Sequence, residues 1–543
     1  MPILGLTITL YNGLQILAIS AFVYVLYRFS ASYLKFSRSP LRDLPGPPSL
    51  SFLRGSFADT SEGNAYRMME QWAREYSNTF VFRSLLSVST LCLRIARVIC
   101  CGTQFSSLHR HRKLLRLMNP AFGPAQVRLL SEVFLQKSLE MRDVLTNKLQ
   151  ATSRKDGKLE VDIFKWLNKV TLDIIGLAGF EYAFDALSND SDEETNELYE
   201  AIRSVQKFNP FQPSFAIQLF FPITRIIPTA RSRISAASLK TMRRIGSKLI
   251  ASKKAEVLGS AGIPHINPDV DAKVGKQDVK GRDLLSLLIK SNMAGDLAEG
   301  ERMTEEEILA PTILVAGHET TSTALTWTIF ALSVQSHIQT KLRSEIMQRP
   351  ADSPTMDEIN SLPYLDGVIR EVMRLHAPVA QSERIAVRDC VVPLGGSGSR
   401  DKNGVVMDHL RLREGDIVKL PIRAINRSKE IWGEDAEEFK PERWLNDNKS
   451  KTEAQVHSVP GVWSNLMSFL SGPHACIGYR FSIVEMKYLL FTMIRSFEFE
   501  LAISPEDIGR KTSVVGRPFI ASNPAAGTQL PVLIRAISET IMS

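Results

Sequence analysis

The sequence predicts a mainly α-helical protein with a small β-rich lobe late in the chain, preceded by a single amino-terminal transmembrane helix. Three observations predict this. Residues 1–27 hold no charged side chain. Apolar residues recur at helical spacing through Glu132–Leu149 and Val161–Leu177, and a long apolar stretch runs from Ile308 to Ser336. Val391–Leu420 is instead broken by Gly395, Gly396, Gly398 and Gly404, with short β-type runs around the glycines. With 543 residues, 44% of them apolar and 23% charged, the chain is neither disordered nor fibrous. A prior of roughly 150 residues per domain suggests about three or four units, yet no long linker or fixed-period repeat separates them.

The apolar run over residues 1–28 is long enough to cross a bilayer as a helix. Tyr24 and Tyr27 take interfacial places. Arg28, Lys35, Arg38 and Arg42 follow with no acid before Asp43, which predicts that the rest stays cytosolic. A cleaved signal peptide, which would want a basic start and a shorter core, and a buried core helix are the alternatives. Residues 29–48 read as a basic hinge ending in Leu44-Pro45-Gly46-Pro47-Pro48, stiff because proline fixes φ and removes donors. Residues 49–543 are the body of the protein.

The formal net charge of +8 suits an anionic membrane or an acidic partner, but no long basic block marks a nucleic-acid arm. The five cysteines are Cys92, Cys100, Cys101, Cys390 and Cys476. Few, scattered and odd in number, they form no disulfide framework and imply a reducing compartment. No pair of Cys-x-x-Cys knuckles supplies a zinc site.

Later in the chain, Thr304 and Glu307 form a capping box ahead of the apolar stretch. A last helix spans Tyr479–Ser496. Just before it lies Phe469-Leu470-Ser471-Gly472-Pro473-His474-Ala475-Cys476-Ile477-Gly478. The glycines and Pro473 suit a tight loop in which backbone approaches something closely. Cys476 therefore precedes a helix amino terminus, where free N–H groups and the helix dipole favour a thiolate. On these residues alone it is a nucleophile, a metal ligand or a small buried hydrophobe.

This loop resembles the haem-binding loop of the cytochrome P450 family, Phe-x-x-Gly-x-Arg/His-x-Cys-x-Gly, with Phe469, Gly472, His474, Cys476 and Gly478 in its fixed places. The resemblance implies the P450 fold over 49–543. It also implies that Cys476 ligates the iron of haem b, where a thiolate favours O–O cleavage, and that His474 contacts a haem propionate.

Other motifs follow the family's order. Glu371-Val372-Met373-Arg374 places a carboxylate and a guanidinium on one helix face. The same spacing occurs at Glu200/Arg203 and Glu299/Arg302, so this instance gains weight only from Phe439-Lys440-Pro441-Glu442-Arg443-Trp444 downstream, which looks like the family's Pro-Glu-Arg-aromatic element. The resemblance implies a buried structural triad of Glu371, Arg374 and Arg443, and a second propionate contact at Arg384.

Ala316-Gly317-His318-Glu319-Thr320-Thr321 is similar to the family's central helix over the oxygen site. Gly317 would open a groove for O2, and Glu319 with Thr320 would form the alcohol–acid pair that delivers protons. Read without the family, Glu319 is the single formal charge between Ile308 and Ser336, costly unless partnered, at a solvent edge, or on a membrane span. His318, with no partner at i+4, reads as a helix-face residue rather than a ligand.

Together these imply a microsomal, fungal-like monooxygenase of secondary metabolism. It would be single-pass in the endoplasmic reticulum membrane and insert one atom of O2 into an apolar lipid, terpenoid or aromatic. Electrons would come from NADPH through a separate NADPH–cytochrome P450 reductase, since no Gly-x-Gly-x-x-Gly follows a strand in this chain. The alternatives are a peroxide-rearranging member that needs no reductase and a non-catalytic haem-binding membrane protein. Two places depart from the family. Leu115 stands where many members carry a propionate arginine, with Arg116 one residue off. Leu91–Leu108, with three of the five cysteines in or beside it, fits nothing known there. A misread exon or a divergent isoform would each produce it, and an intact transcript encoding these residues would exclude the first.

Overall fold

The computed structural model describes residues 39–50, 55–56, 64–76, 79–83, 89–93, 114–152, 156–188, 196–206, 229–260, 283–293, 302–304, 311–349, 352–394, 399–445, 459–512 and 514–537, with isolated positions between 15 and 34. In chain order the main elements begin with α1 (Asn64–Glu75), β1 (Thr79–Arg83), β2 (Ser89–Leu93), α2 (Pro124–Gln150), β3 (Leu159–Asp162), α3 (Ile163–Phe180) and α4 (Glu197–Gln206). Next come α5 (Ala230–Ser260), α6 (Leu284–Asn292), α7 (Pro311–Val334), α8 (Ser336–Met347), α9 (Pro363–Leu375), β4 (Ser382–Ile385), β5 (Cys390–Pro393), β6 (His409–Leu412) and β7 (Ile417–Leu420). The last are α10 (Tyr479–Ser496), β8 (Phe497–Leu501), β9 (Ile508–Thr512), β10 (Gly516–Ile520) and β11 (Pro531–Ala536).

These elements form two compact units, one made of Met1–Ser106, Asn209–Pro228 and Ser382–Pro421, the other of Ser107–Phe208, Thr229–Gln381 and Ile422–Ser543. The first is built on a sheet of order β1-β2-β7-β4, in which β2 and β7 run parallel, and carries a separate β5–β6 hairpin. The described part of Val391–Leu420 holds strands with turns at Gly404 and Gly415, while Gly395, Gly396 and Gly398 lie outside the described residues. The proline segment is extended and packed. Pro45 carbonyl accepts the Val81 N–H at 3.0 Å, and a Cβ on Gly46 would fall 1.9 Å from the Val81 carbonyl oxygen, so only glycine fits. Ser39 caps a short 3-10 turn through Leu41 N–H, and Asp43 carbonyl accepts from Lys402 N–H at 2.8 Å.

Most of residues 1–28 lie outside the described residues. Of those described, Ile19, Phe22, Val23, Leu26 and Tyr27 are exposed, and among described residues no helix is long and apolar enough to cross a membrane. Ser89–Leu93, at the start of the anomalous segment, pairs in register with β1, and 94–108 lie outside the described residues.

The second unit is helical around a shared core, with a β3-β11-β8 sheet and a β9–β10 hairpin. The helix expected from Val161 begins later. Leu159–Asp162 pairs with β11, and Asp162 then caps α3 by accepting Phe164 N–H at 3.1 Å. The apolar stretch from Ile308 likewise resolves into α7 and α8, parted at Gln335, whose φ of −117° and ψ of 75° leave the helical region. Glu307 of the expected capping box lies outside the described residues. Tyr479–Ser496 forms one helix with the bounds its periodicity predicts, and Phe481 meets Phe134 of α2 edge-on at 4.8 Å.

Candidate active site

The cysteine loop enters from a short turn at Met467–Phe469. Leu470 and Gly472 take φ of 57° and 63°. Glycine adopts this freely, whereas for Leu470 it costs on the order of 1–3 kcal/mol. The turn closes where Cys476 N–H donates to the Phe469 carbonyl at 2.8 Å. Phe469 is buried between the rings of Trp463 and Tyr479, at 5.6 and 6.0 Å. His474 is half-buried on the same loop, and Gly478 is the residue from which α10 starts.

The side chain of Cys476 is accessible, on the loop just ahead of α10. The helix amino terminus is expected to hold it as a thiolate. Burial instead pushes the thiol up, with the nearby Gly478 N–H pulling the other way. Desolvation of the anion is the larger of these two causes, and a bound cation would draw the proton off.

A buried cluster supports the loop. Arg374 and Glu371 on α9 are both fully buried and meet in a two-pronged pair of 2.8 and 2.9 Å. Arg374 also donates to the carbonyls of Asn426, Ala436 and Glu438, while Glu371 accepts from Lys440 N–H, Trp444 Nε1 and, at 3.5 Å, Arg443 Nε. The three residues singled out in the sequence are brought together. The sequence reading misses Asn426, the link to the cysteine loop. Its amide accepts Met467 N–H and donates to Ser468 Oγ, and Ser468 in turn donates to the Met373 carbonyl of α9.

On α7, Glu319 and Thr320 take different partners. Glu319 is buried and forms a salt bridge with Arg517 of β10, while Thr320 Oγ1 donates to the Ala316 carbonyl at 2.6 Å and Thr321 Oγ1 to the Gly317 carbonyl at 2.9 Å. Both hydroxyls are thus back-bonded to the helix's own carbonyls one turn earlier. Gly317 serves packing rather than a groove, since a Cβ there would press Ile175 of α3 at 3.0 Å. His318 is buried with Nδ1 on the Leu314 carbonyl at 2.8 Å, and burial lowers its pKa to about 4. Arg384 lies in the other unit on β4, donating to Ser382 Oγ and the Glu383 carbonyl at 2.6 and 2.8 Å. Leu115 is half-buried and Arg116 exposed.

A second buried acid had no sequence signal. Glu485 of α10 is fully buried, and neither carboxyl oxygen has a hydrogen-bond partner of ordinary geometry among the described residues. Burial drives its pKa well up, partly offset by the neighbouring Thr321 hydroxyl, which contacts Ser482 Oγ at 2.9 Å. The folded protein holds the proton here, while the unfolded chain releases it near pH ~4.3, so stability falls as pH rises above that value. Glu485→Gln is expected to stabilise the protein by on the order of 1–2 kcal/mol at neutral pH, with the gain fading below about pH 4.5. Melting temperatures across pH test this, and a gain independent of pH would sink the assignment.

The donor set bears on what Cys476 can hold. Among the described residues no group of three or more His, Cys, Asp or Glu converges on a point. One accessible thiol cannot build a zinc or iron–sulfur site. It fits a metal that arrives with its own equatorial donors, as haem iron does.

Comparison with known proteins agrees. Residues 94–518 match the family described as Cytochrome P450. Cytochrome P450 monooxygenase 205 of Postia placenta is 41% identical, with the alignment covering 98% of this chain and 99% of that protein. Cytochrome P450 monooxygenase 128 of the same organism is 42% identical over 92% and 93%. Ganoderic acid synthetase CYP5150L8 of Ganoderma lucidum is 32% identical over 93% and 96%. With the family matched over most of its length and such relatives aligned nearly end to end, the chain belongs to the cytochrome P450 family and takes its place among the fungal monooxygenases.

Proposed function

We propose that this P450 inserts one atom of O2 into an apolar lipid, terpenoid or aromatic at the endoplasmic reticulum membrane, using NADPH through a separate cytochrome P450 reductase. The observation that carries the reading is the Cys476 sulfur, accessible on the loop ahead of α10, with no cluster of three or more His, Cys, Asp or Glu among the described residues to hold a metal elsewhere. Haem b bound through Cys476 would supply an electron-rich iron for splitting O2. His474, half-buried on the same loop, would take a propionate. Thr320, its hydroxyl turned along α7, would hold a proton near the reacting oxygen, with Glu319 as its source. The uncharged run before Tyr27 would anchor the protein, with residues 29–48 between anchor and domain.

The test is isotopic. Membranes containing the protein, NADPH and reductase are supplied with 18O2 and a panel of fatty acids, terpenes and arenes. At least one product is expected to carry a single 18O atom, and its formation to stop without NADPH. A product labelled from water, or formed without NADPH, overturns the reading.

A further inference from the structure

We propose that Arg517 is the positioning residue for Glu319. Its guanidinium holds the carboxylate charged and in one place on the turn of α7 that carries Thr320, and so keeps that acid ready to serve the proton relay. The idea rests on the proposed function for its turnover readout, but not for its stability readout.

Glu319 is 5% exposed on α7, Pro311–Val334, which is otherwise uncharged. A carboxylate so placed demands a cation, and Arg517, itself half-buried, supplies it. The pair joins residues 198 positions apart, fastening the β9–β10 hairpin to α7 at the turn that carries Thr320. The hairpin does not depend on it. Gly516 N–H donates to the Pro378 carbonyl at 2.9 Å, Trp327 Nε1 donates to the Gly516 carbonyl at 2.7 Å, and Arg510 stacks over Trp327 at 4.5 Å. Removing the Arg517 side chain therefore isolates its effect on Glu319.

Other titratable groups near this part of α7 are accounted for. His318 is neutral above about pH 5, its pKa being about 4. Glu485 sits beside Thr321 on α10, and burial keeps it protonated. His376, stacked on Trp327, is held neutral by burial and nearby arginines. Asp173 of α3 is bound by the N–H groups of Ala186 and Leu187. Removing Arg517 relieves one cause that lowers the neighbouring His318, although burial, the largest cause, stays, and it leaves Glu319 as the group without its partner. Its unpaired carboxyl is then disfavoured as an anion, so its folded pKa rises and stability falls as pH increases from acid to neutral.

The experiment compares Arg517→Met, Arg517→Lys, Glu319→Gln and the Arg517→Met/Glu319→Gln double variant in the full-length holoprotein. Melting temperature is followed from about pH 5 to 8, and the ratio of hydrogen peroxide released to NADPH consumed is followed with reductase. Arg517→Met is expected to lose stability progressively with pH and to raise the peroxide fraction several-fold. Arg517→Lys is expected to restore both. The double variant is expected to lose the pH dependence, because no acid is left to strand. An Arg517→Met protein with the wild-type pH dependence overturns the proposal. So does a double variant that keeps the Arg517→Met pH slope, since the arginine would then act on something other than Glu319. Should Arg517→Met fail to fold, Arg517→Gln takes its place with the same expected and overturning outcomes, and a Glu319→Gln protein with normal peroxide release overturns the relay role.

Discussion

Cys476→Ser is expected to abolish the long-wavelength Soret band of the carbon monoxide complex in dithionite-reduced membranes, and turnover with it. Serine keeps the loop's shape and the Cys476 N–H bond to Phe469, which is a backbone contact. It removes the soft sulfur and with it any anion that iron can stabilise near neutral pH. The protein should therefore reach near-normal levels while losing the signature. Haem retained with a short-wavelength band would mean that an oxygen or nitrogen donor, the new serine included, holds the haem in place of the thiolate. A long-wavelength band surviving in the serine variant would remove Cys476 from the iron. Loss of the whole protein, rather than of its spectrum, would show that the thiol holds the loop together, which its accessible position argues against.

Arg374→Ala is expected to be the most damaging change away from the sulfur. The guanidinium makes five hydrogen bonds among fully buried groups and lies over Trp432 at 5.3 Å. Deleting it strands Glu371 and leaves three carbonyls short of a donor. Breaking a buried pair this way costs about 3–5 kcal/mol, a large share of a typical fold's stability. The readout is haem content per polypeptide together with soluble yield, both falling to near zero. Glu371→Gln should be milder, because the amide can still accept from Arg374 and the Trp444 indole N–H. An Arg374→Ala protein that folds and holds haem at wild-type occupancy would show the cluster to be dispensable.

What could be read in the sequence is what lies close together along it. Phe469, Gly472, His474, Cys476 and Gly478 fall within ten residues, and one loop sets their geometry. Glu371 and Arg374 share a helical face for the same reason, and the tandem threonines announce themselves on an apolar helix. Arg517 could not be found this way, because it meets Glu319 only after a hairpin far down the chain folds back. Asn426 was equally invisible, since nothing about an asparagine reveals that its two amide atoms will bridge a helix and a loop. Glu485 looks like any polar residue in an amphipathic helix until the packing of α7 closes over it. Val161 and Asp162 continue a helical apolar pattern but are claimed by β11, whose strand lies at the other end of the chain. The reading of the family as monooxygenases also leaves the non-catalytic alternative without support.

The amino-terminal edge of the folded body has a practical consequence for anyone shortening the protein. Proline-rich stretches invite a cut just after them, at residue 49. Here Pro45 completes a bond to β1, Gly46 lies against the Val81 backbone, and Asp43 and Arg42 receive the Lys402 N–H and ammonium. A chain begun at residue 49 would expose one edge of that sheet and lose these ties, whereas one begun just ahead of Ser39 keeps the cap, the turn and the proline strap as a unit.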